Sequence, residues 1–294
     1  MKHEFYHKGK EFLDSEEFDK SYQIFYSHLE DVLCAYGLYI LLSIGYIKDS
    51  NIEKIFFSRF NEIKELAGKD DVEAIFVLGV CYERGIKVSL DLRTAEELYL
   101  KAYKMGHQRA GFNLATLYQN SEHINDVKKA LKIYQDLSET NNPEAMVNAG
   151  YILLFCKDLQ NKDLAIKYFQ SAAKLGDPLA EYYLGLIYIN KEFGYENVDL
   201  ALEYLNKSMI KGNLSAKELL ADYYFSNEIV KTKSFALYKE LAEEKYVQAY
   251  YRLGMCYELG IGGMKNSELA NQYYKLALEN GDKRAIIKLI NIED

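Results

Sequence analysis

The first residues of the chain are of types that could bind a metal ion. Residues 3–7 read HEFYH and fit the pattern H-E-x-x-H. On a helix, two histidines four residues apart lie on one face and can bind Zn²⁺ together, while the glutamate can act as a general base. The pattern therefore suggests a metallohydrolase centred on His3, Glu4 and His7.

A zinc hydrolase also needs a third protein ligand and an open coordination position. Glu17 is the nearest candidate, but it belongs to the turn or second helix of the same hairpin. The remaining histidines fall at unrelated positions of the chain: His28, His107 and His123. We therefore expect no metal, and we interpret His3 and His7 as solvent-exposed residues on the first turns of an ordinary helix.

Other catalytic patterns are weak as well. The segment GIGG at 260–263 lacks the preceding strand and the following Lys-Ser/Thr of a phosphate loop, and no Ser–His–Asp arrangement follows from spacing. The four cysteines form no C-x-x-C pair and do not resemble a disulfide scaffold. Cys81 and Cys256 occupy one repeated position and are expected to be small core residues. The chain is predicted not to be an enzyme and to need no cofactor.

The composition narrows the class of protein. The chain has 294 residues, a formal net charge of −8 at pH 7 and only two prolines. This charge disfavours nucleic acid as a partner, because phosphate backbones attract clustered Lys and Arg. The first residues show no apolar signal segment, and the apolar run at 36–47 is shorter than the roughly 20 residues that span a bilayer. We expect one continuous cytoplasmic body without a membrane segment.

Similar strings recur along the chain at a nearly constant spacing. A typical string is AEYYLGLIY at 180–188, and each string starts at an alanine: Ala74, Ala110, Ala145, Ala180, Ala216, Ala249 and Ala285. The steps between these repeat alanines are 36, 35, 35, 36, 33 and 36 residues. The alanine, the residue four later and the residue eight later share one helix face. The fifth residue after the alanine is Gly or Ala in six strings, which predicts the close approach of another helix.

A second apolar stripe precedes the later strings. Fifteen residues before the alanine stand small residues: Ala95, Ala130, Ala165, Ala201, Ser234 and Ala270. Four residues further on stand large ones: Tyr99, Tyr134, Phe169, Leu205, Tyr238 and Tyr274. Positions that suit a left-handed helix end hold Gly or Asn: Gly106, Asn141, Gly176, Gly212 and Gly281. Lys245 breaks this rule, so we expect a different turn there. Asn142 and Asp177, each followed by proline, are predicted N-caps.

These recurring positions resemble the Sel-one-like repeat, a relative of the tetratricopeptide repeat with a longer loop inside the hairpin. The resemblance is clearest in YERGIKVSLDLRTAEELYLKAYKMGH (82–107) and YELGIGGMKNSELANQYYKLALENGD (257–282) and covers roughly residues 70–294. Upstream, LYILLSIGYI and IEKIFFSRFNEIKELAG read as a further helix pair. The first segment resembles a tetratricopeptide repeat through five residues at its usual spacing: Gly9, Phe12, Phe18, Ser21 and Phe25.

The repeat and the resemblance together predict an all-α fold. We expect a right-handed α-solenoid of about eight helix-turn-helix repeats in one continuous body. It would consist of divergent tetratricopeptide-like repeats over 1–69, Sel-one-like repeats over 70–280 and a capping segment over 281–294. The capping helix is expected from Asp282 to about Ile292.

The resemblance also implies where a partner would bind. In the resembling families the first helices line a concave groove that takes extended peptides or helices of partner proteins. The corresponding candidate residues here are Phe76, Arg109, Phe112, Asn113, Asn148, Tyr151, Tyr182, Tyr183, Tyr251 and Arg252. Paired amides of Asn113 and Asn148 could hold a peptide backbone, with Arg109 beside a carboxylate. The aromatic residues, together with Phe155, would serve as anchors. A mixture of Arg, Lys, Glu and Asp near Arg252 suggests a charged protein partner.

The resulting hypothesis is a non-enzymatic scaffold or adaptor, of bacterial type, that binds a protein or peptide in this groove. A narrower alternative is an immunity or inhibitor protein that neutralises a toxic enzyme. An RNA-binding helical repeat is a second alternative, which the acidic charge and the lack of a repeated basic groove position disfavour. A zinc hydrolase acting through HEFYH is the third. The sequence specifies neither the partner nor the oligomeric state.

Overall fold

The computed structural model describes residues 3–290, and the regular structure in this range is helical throughout. The bounds of the helices are α1 Glu4–Asp14, α2 Phe18–Ser27, α3 Val32–Ser43, α4 Ser50–Ser58, α5 Phe60–Gly68, α6 Val72–Arg84, α7 Leu92–Lys104, α8 Gln108–Gln119, α9 Ile124–Ser138, α10 Pro143–Phe155, α11 Lys162–Lys174, α12 Pro178–Ile189, α13 Val198–Ile210, α14 Leu214–Ser226, α15 Thr232–Glu243, α16 Gln248–Leu259, α17 Ser267–Glu279 and α18 Arg284–Ile290. Short 3-10 turns at Lys157–Leu159 and Lys191–Phe193 follow α10 and α12. The predicted all-α class is confirmed.

The chain divides into two compact units, one up to Leu137 and one from Ser138 onward. Within each unit, helices that follow one another in sequence pack together, as in the pairs α6–α7, α10–α11, α12–α13, α14–α15 and α16–α17. We call α6, α8, α10, α12, α14 and α16 the first helices, and α7, α9, α11, α13, α15 and α17 the second helices. The predicted division at residues 69 and 280 stays a prediction.

The core consists of the positions that recur in the sequence. All seven repeat alanines are fully buried, and so are the large residues of the second helices. A Cβ built on Gly254 would lie 2.7 Å from the Tyr274 ring, and one on Gly150 would lie 2.8 Å from Phe169. The expected close approach at the small position is therefore confirmed. Three buried second-helix tyrosines donate their hydroxyl to an acid of a first helix: Tyr99 to Glu83 at 2.8 Å, Tyr238 to Asp222 and Tyr274 to Glu258.

The helix ends follow the predicted pattern with one difference. The side chains of Asn142 and Asp177 accept hydrogen bonds from the backbone N–H of the residue three positions later, which confirms both N-caps. The five predicted left-handed positions all have positive φ. The expectation of a different turn at Lys245 was wrong, since Lys245 adopts the same left-handed conformation with φ 59°. The turn differs only afterwards, because Val247, the residue before α16, supplies no side-chain cap.

The region before residue 69 differs from the expected helix pair. Its second member is interrupted at Arg59, which separates α4 from α5. The Arg59 guanidinium donates to the backbone oxygens of Leu29 and Glu30 and pairs with Glu62 at 2.6 Å, so the interruption is fixed by contacts with two other parts of the chain. In the first hairpin, the Ser21 hydroxyl donates to the Gly9 carbonyl at 2.9 Å, so two of the residues at tetratricopeptide-like spacing contact each other.

The last helix runs over Arg284–Ile290 in the described range, and residues 291 and 292 of the expected capping helix lie outside that range. None of the helices between residues 3 and 290 has both the length and the apolar character that a membrane span requires.

Candidate functional site

The HEFYH motif holds the start of α1 against two other helices. Its first histidine, His3, is only 11% exposed, so the expectation of a solvent-exposed residue was wrong for His3. The imidazole Nδ1 lies 2.8 Å from a carboxylate oxygen of Asp31, and Nε2 lies 3.1 Å from Asp71. Asp31 and Asp71 also accept backbone hydrogen bonds as the N-caps of α3 and α6. His7, by contrast, is 45% exposed and lies 4.0 Å from Glu73.

His107 belongs to the same edge of the first unit. Its Nδ1 accepts from the backbone N–H of Ala110 at 3.0 Å as the N-cap of α8, so its Nε2 carries the proton and faces Glu73 at 3.3 Å. Burial would raise the pKa of Glu73, but this hydrogen bond together with the charge of Lys10 outweighs burial and holds the pKa below its ordinary value. Within residues 3–290 no three His, Cys, Asp or Glu side chains are arranged to hold a metal ion.

The predicted site residues of the first unit are mostly engaged in contacts within the chain. Phe76 is 5% exposed and its ring stacks on His107 at 4.4 Å, so little of its surface is available to a partner. Phe112 meets Tyr134 edge-on at 5.5 Å. Arg109 stays exposed and forms an ion pair with Asp14 at 3.3 Å.

The two asparagines of the predicted peptide clamp both use their amide donors internally. The Asn113 amide donates to the Tyr99 hydroxyl at 3.2 Å. The Asn148 amide donates at 3.0 Å to the carbonyl of Glu144, one turn earlier on its own helix. Asn113 lies in the first unit and Asn148 in the second. Their role as paired amides stays a prediction, and a peptide would have to compete with these hydrogen bonds.

Aromatic residues of α10 and α12 form a surface cluster in the second unit. We call Tyr151, Phe155, Tyr182 and Tyr183 the aromatic cluster. Tyr151 lies 4.9 Å from Phe155 and 5.9 Å from Tyr183, and Tyr182 lies 5.2 Å from Tyr183, measured between ring centroids. Tyr151 and Phe155 are 40% and 42% exposed. Burial, with a smaller effect from the neighbouring tyrosines, raises the pKa of Tyr183 to about 12, so its hydroxyl stays neutral.

The predicted residues further along the second unit are already paired. Arg252 lies 3.1 Å from Asp222. Tyr251 packs on Tyr274 at 5.7 Å, and the guanidinium of Arg284 lies 4.7 Å above the Tyr251 ring. The prediction of a mixed charged surface therefore describes ion pairs that the chain makes with itself.

Glu218 on α14 differs from these paired acids. It forms no ion pair within 4 Å among the described residues, whereas the nearby Arg252 and Arg284 are held by Asp222 and Asp282. Its carboxylate accepts a hydrogen bond from the Tyr246 hydroxyl at 2.8 Å. Burial raises the pKa of Glu218, and the charge of Asp222 adds to the rise; Tyr246 and the two arginines oppose it without reversing it.

Sequence reasoning missed several residues around these sites. Phe193 lies in the turn after α12, outside any repeated position, yet its ring meets Phe155 at 6.3 Å. Tyr246 follows the left-handed Lys245, and no periodic pattern marked it as a partner of Glu218. Glu218 lies on a first helix, two residues after the repeat alanine Ala216. Its lack of an ion pair depends on the positions of Arg252 and Arg284, which are 34 and 66 residues away in sequence.

The fold and the candidate site define a helical-repeat protein whose first helices carry the candidate binding residues. Comparison with known proteins identifies the type of repeat. The Sel1 repeat model matches residues 72–107, 143–177, 178–213 and 247–282. The chain therefore carries Sel1 repeats, and the predicted resemblance and the predicted α-solenoid class are both confirmed.

Two curated relatives are each about one quarter identical to this chain over the aligned residues. Chitin synthase regulatory factor 3 of Schizosaccharomyces pombe is 26% identical in an alignment of 202 residues that covers 65% of this chain and 18% of that protein. The HRD3 component of the ERAD-associated E3 ubiquitin-protein ligase of Candida glabrata is 26% identical over 177 residues, 60% of this chain and 17% of that protein. The chain thus spans less than a fifth of the length of these two relatives.

Two solved structures share the fold. A protective antigen of uropathogenic Escherichia coli strains with an SLR fold has a TM-score of 0.70 at 18% identity, covering 98% of this chain and 71% of that one. A Sel1 repeat protein of Oxalobacter formigenes has a TM-score of 0.60 at 22% identity, covering 93% and 96%. At these identities the similarity establishes the fold alone.

Proposed function

We propose that this chain is a non-enzymatic scaffold that binds a partner protein or peptide on the first-helix face of its second unit. The aromatic cluster is the observation that carries the proposal. Its rings are fixed by mutual contacts, while Tyr151 and Phe155 keep a large share of their surface in water. Aromatic residues are frequent interface anchors, and rings held in place lose little conformational entropy on binding.

The repeat type and the relatives support the same function. Stacked helical repeats present an extended surface, on which neighbouring repeats can contact one partner together. Two curated relatives are named as a regulatory factor and as a component of a ligase assembly, roles that depend on other proteins.

Affinity capture from a lysate of the organism of origin tests the proposal. The wild-type chain is compared with a Tyr151→Ser/Phe155→Ser variant. A matched control is Tyr26→Ser, which removes a ring of similar exposure from α2 in the first unit. We expect a partner that wild type and Tyr26→Ser retain equally and that the double variant retains about tenfold less. Circular dichroism and thermal unfolding check that all three chains are folded.

Two outcomes would contradict the proposal. A partner retained by the double variant would place the binding surface elsewhere, and the lack of a stoichiometric partner would contradict the scaffold function. If the captured partner is an enzyme that loses activity in the complex, the narrower inhibitor hypothesis gains support.

A further inference from the structure

The repeat allows two equivalent tyrosines of the first-helix face to be compared. Tyr182 and Tyr251 each stand two residues after a repeat alanine. The guanidinium of Arg284, 33 residues after Tyr251, lies over the Tyr251 ring at 4.7 Å. The residue 33 positions after Tyr182 is Ser215. None of the described Lys or Arg side chains stacks on Tyr182, so the position that a cation fills at Tyr251 lacks one at Tyr182.

A carboxylate without a cation lies beside this position. Glu218 and Tyr182 each stand two residues after a repeat alanine, on helices α14 and α12, which contact each other. The charge of Glu218 adds, after burial, to the rise in the pKa of Tyr182. Tyr246 approaches from the turn after α15 and donates to Glu218 at 2.8 Å. A half-buried carboxylate without a positive partner lowers the stability of the folded state. Asp222, one turn later on the same helix, is paired with Arg252 at 3.1 Å. Tyrosine rings and a carboxylate together attract an ammonium or guanidinium group.

The aromatic cluster extends from the same point. Tyr182 touches Tyr183 at 5.2 Å, and Tyr183 touches Tyr151 at 5.9 Å, with Phe155 beyond. An extended peptide covers about 3.3 Å per residue. A side chain held at Glu218 and an apolar side chain packed on Tyr151 and Phe155 would therefore stand about two to four residues apart.

We propose that the first-helix face of the second unit recognises a partner segment with a basic residue and an apolar one. The Lys or Arg side chain lies against Glu218 and Tyr182, and the nearby apolar side chain packs on Tyr151 and Phe155. The partner's cation takes the place at Tyr182 that Arg284 takes at Tyr251. This inference rests on the proposed scaffold function and specifies the chemistry of its partner.

Oriented peptide libraries test the inference directly. Three libraries of heptapeptides, blocked at both ends, carry Arg, Lys or Glu at the centre and mixed residues elsewhere. Each is passed over the immobilised full chain, and the retained peptides are sequenced. We expect the Arg- or Lys-centred pool to be retained several-fold above the Glu-centred pool, with aromatic or aliphatic residues enriched two to four positions from the centre.

Three variants then locate the contact with the best retained peptide. Glu218→Gln keeps an acceptor for Tyr246 and is expected to weaken binding about tenfold, because a charge-assisted contact is lost. Ser215→Arg supplies the missing cation from within the chain and is expected to abolish the preference for basic peptides. The control Glu258→Gln removes a carboxylate that Lys288 already neutralises at 2.8 Å, and binding should stay within about twofold.

The outcomes separate this inference from the proposed function. Equal retention of the three pools, or a preference for Glu, would overturn the basic partner; if the captured protein partner still depends on Tyr151 and Phe155, the scaffold function stands. Retention of none of the pools above blank resin would also overturn the inference, and the capture experiment then decides the scaffold function separately. Binding unaffected by both Glu218→Gln and Ser215→Arg would place any basic preference at another surface.

Discussion

His3 connects two helix caps that are far apart in sequence. Its ring nitrogens face Asp31 and Asp71, and ionised carboxylates can only accept hydrogen bonds. Each ring nitrogen that carries a proton can donate to its acid, so the ring links the two capping side chains in a nearly buried place. A buried charge that loses its partner is strongly destabilising.

The first prediction concerns this contact. Replacing His3 with Ala should lower the free energy of unfolding by about 1–3 kcal/mol, because the largely buried carboxylates of Asp31 and Asp71 lose a hydrogen-bond partner. The control is His7→Ala, which removes the exposed histidine of the same motif and should cost less than about 0.5 kcal/mol. Urea unfolding followed by circular dichroism measures both values. Equal losses in the two variants would mean that the His3 contacts contribute no net stability.

A second prediction concerns Glu218 and the pH dependence of stability. Because burial raises its pKa above the ordinary value of 4.5, the folded state binds its proton more tightly than the unfolded state does. Wild-type stability should therefore fall as the pH rises from 4.5 through the raised pKa. Glu218→Gln removes this loss, so the variant should be the more stable protein at pH 7 and lose its advantage below about pH 4.

Glu258→Gln provides the control of opposite sign. Burial alone would raise the pKa of Glu258, but hydrogen bonds from Lys288 and Tyr274 outweigh it and lower the pKa. The stability that this carboxylate contributes is present above pH 4.5 and is lost as the pH falls through the lowered value, so Glu258→Gln should be less stable at pH 7. Thermal unfolding between pH 3 and 8 measures both variants, and a destabilised Glu218→Gln at pH 7 would argue against the raised pKa. Glu218→Gln should therefore be more stable than wild type at pH 7 and yet bind the peptide more weakly. Unfolding would then be excluded as the cause of its weaker binding.

At the scale of the elements, a repeated glycine sets how closely a second helix can approach. At Gly79, Gly150, Gly185 and Gly254 an added Cβ would lie between 2.5 and 2.8 Å from a large side chain of the paired helix. Such an approach requires that the partner helix move or its side chain change rotamer. Glycine stands at these positions despite its lower helix propensity, because the packing leaves no room for the Cβ of a larger residue.

The third prediction follows from this geometry. Gly254→Ala should lower the free energy of unfolding by about 1–3 kcal/mol through overpacking against Tyr274, even though alanine favours the helix by about 1 kcal/mol. Gly68→Ala is the matched control, because nothing lies within 4 Å of its added Cβ at the end of α5. That control should leave the protein unchanged or stabilise it by up to about 1 kcal/mol. A stabilised Gly254→Ala would contradict the close packing of α16 on α17.

The fourth prediction concerns the turn before α16. Lys245 adopts the left-handed conformation, with φ 59°, that its counterparts reach as glycine or asparagine. A side chain in this conformation costs about 1–2 kcal/mol, so Lys245→Gly should stabilise the protein by about 1 kcal/mol. Gly176→Lys makes the reverse change in an equivalent turn, where φ is 89°, and should destabilise it by a similar amount. Two losses of stability would mean that the Lys245 side chain contributes a contact that outweighs its backbone strain.

At the scale of the whole molecule, the features that could be predicted from the sequence are those that recur in every repeat. Four kinds of position recur at fixed distances along the repeat: the repeat alanines, the large second-helix residues, the caps at Asn142 and Asp177, and the left-handed turns. That recurrence makes their burial or conformation readable without a structure. His3 could not be placed in this way, because it occupies no repeated position itself and its partners lie 28 and 68 residues away. The break at Arg59 and the lack of an ion pair at Glu218 were missed for the same reason, since each depends on groups that are distant in sequence.

The last prediction concerns how far a local change spreads through the chain. Contacts in each unit link helices that are close in sequence, so stability in such an array is expected to be a sum of local terms. Gly254→Ala should therefore speed amide hydrogen exchange in α14 to α17 and leave α1 to α7 almost unchanged. Exchange measured by mass spectrometry on the full chain tests this, and Gly79→Ala, which crowds Tyr99 in the first unit, should give the opposite distribution. If either variant accelerated exchange equally in both units, the chain would unfold as one cooperative body. A partner bound on the second unit would then stabilise all of the helices rather than only those it touches.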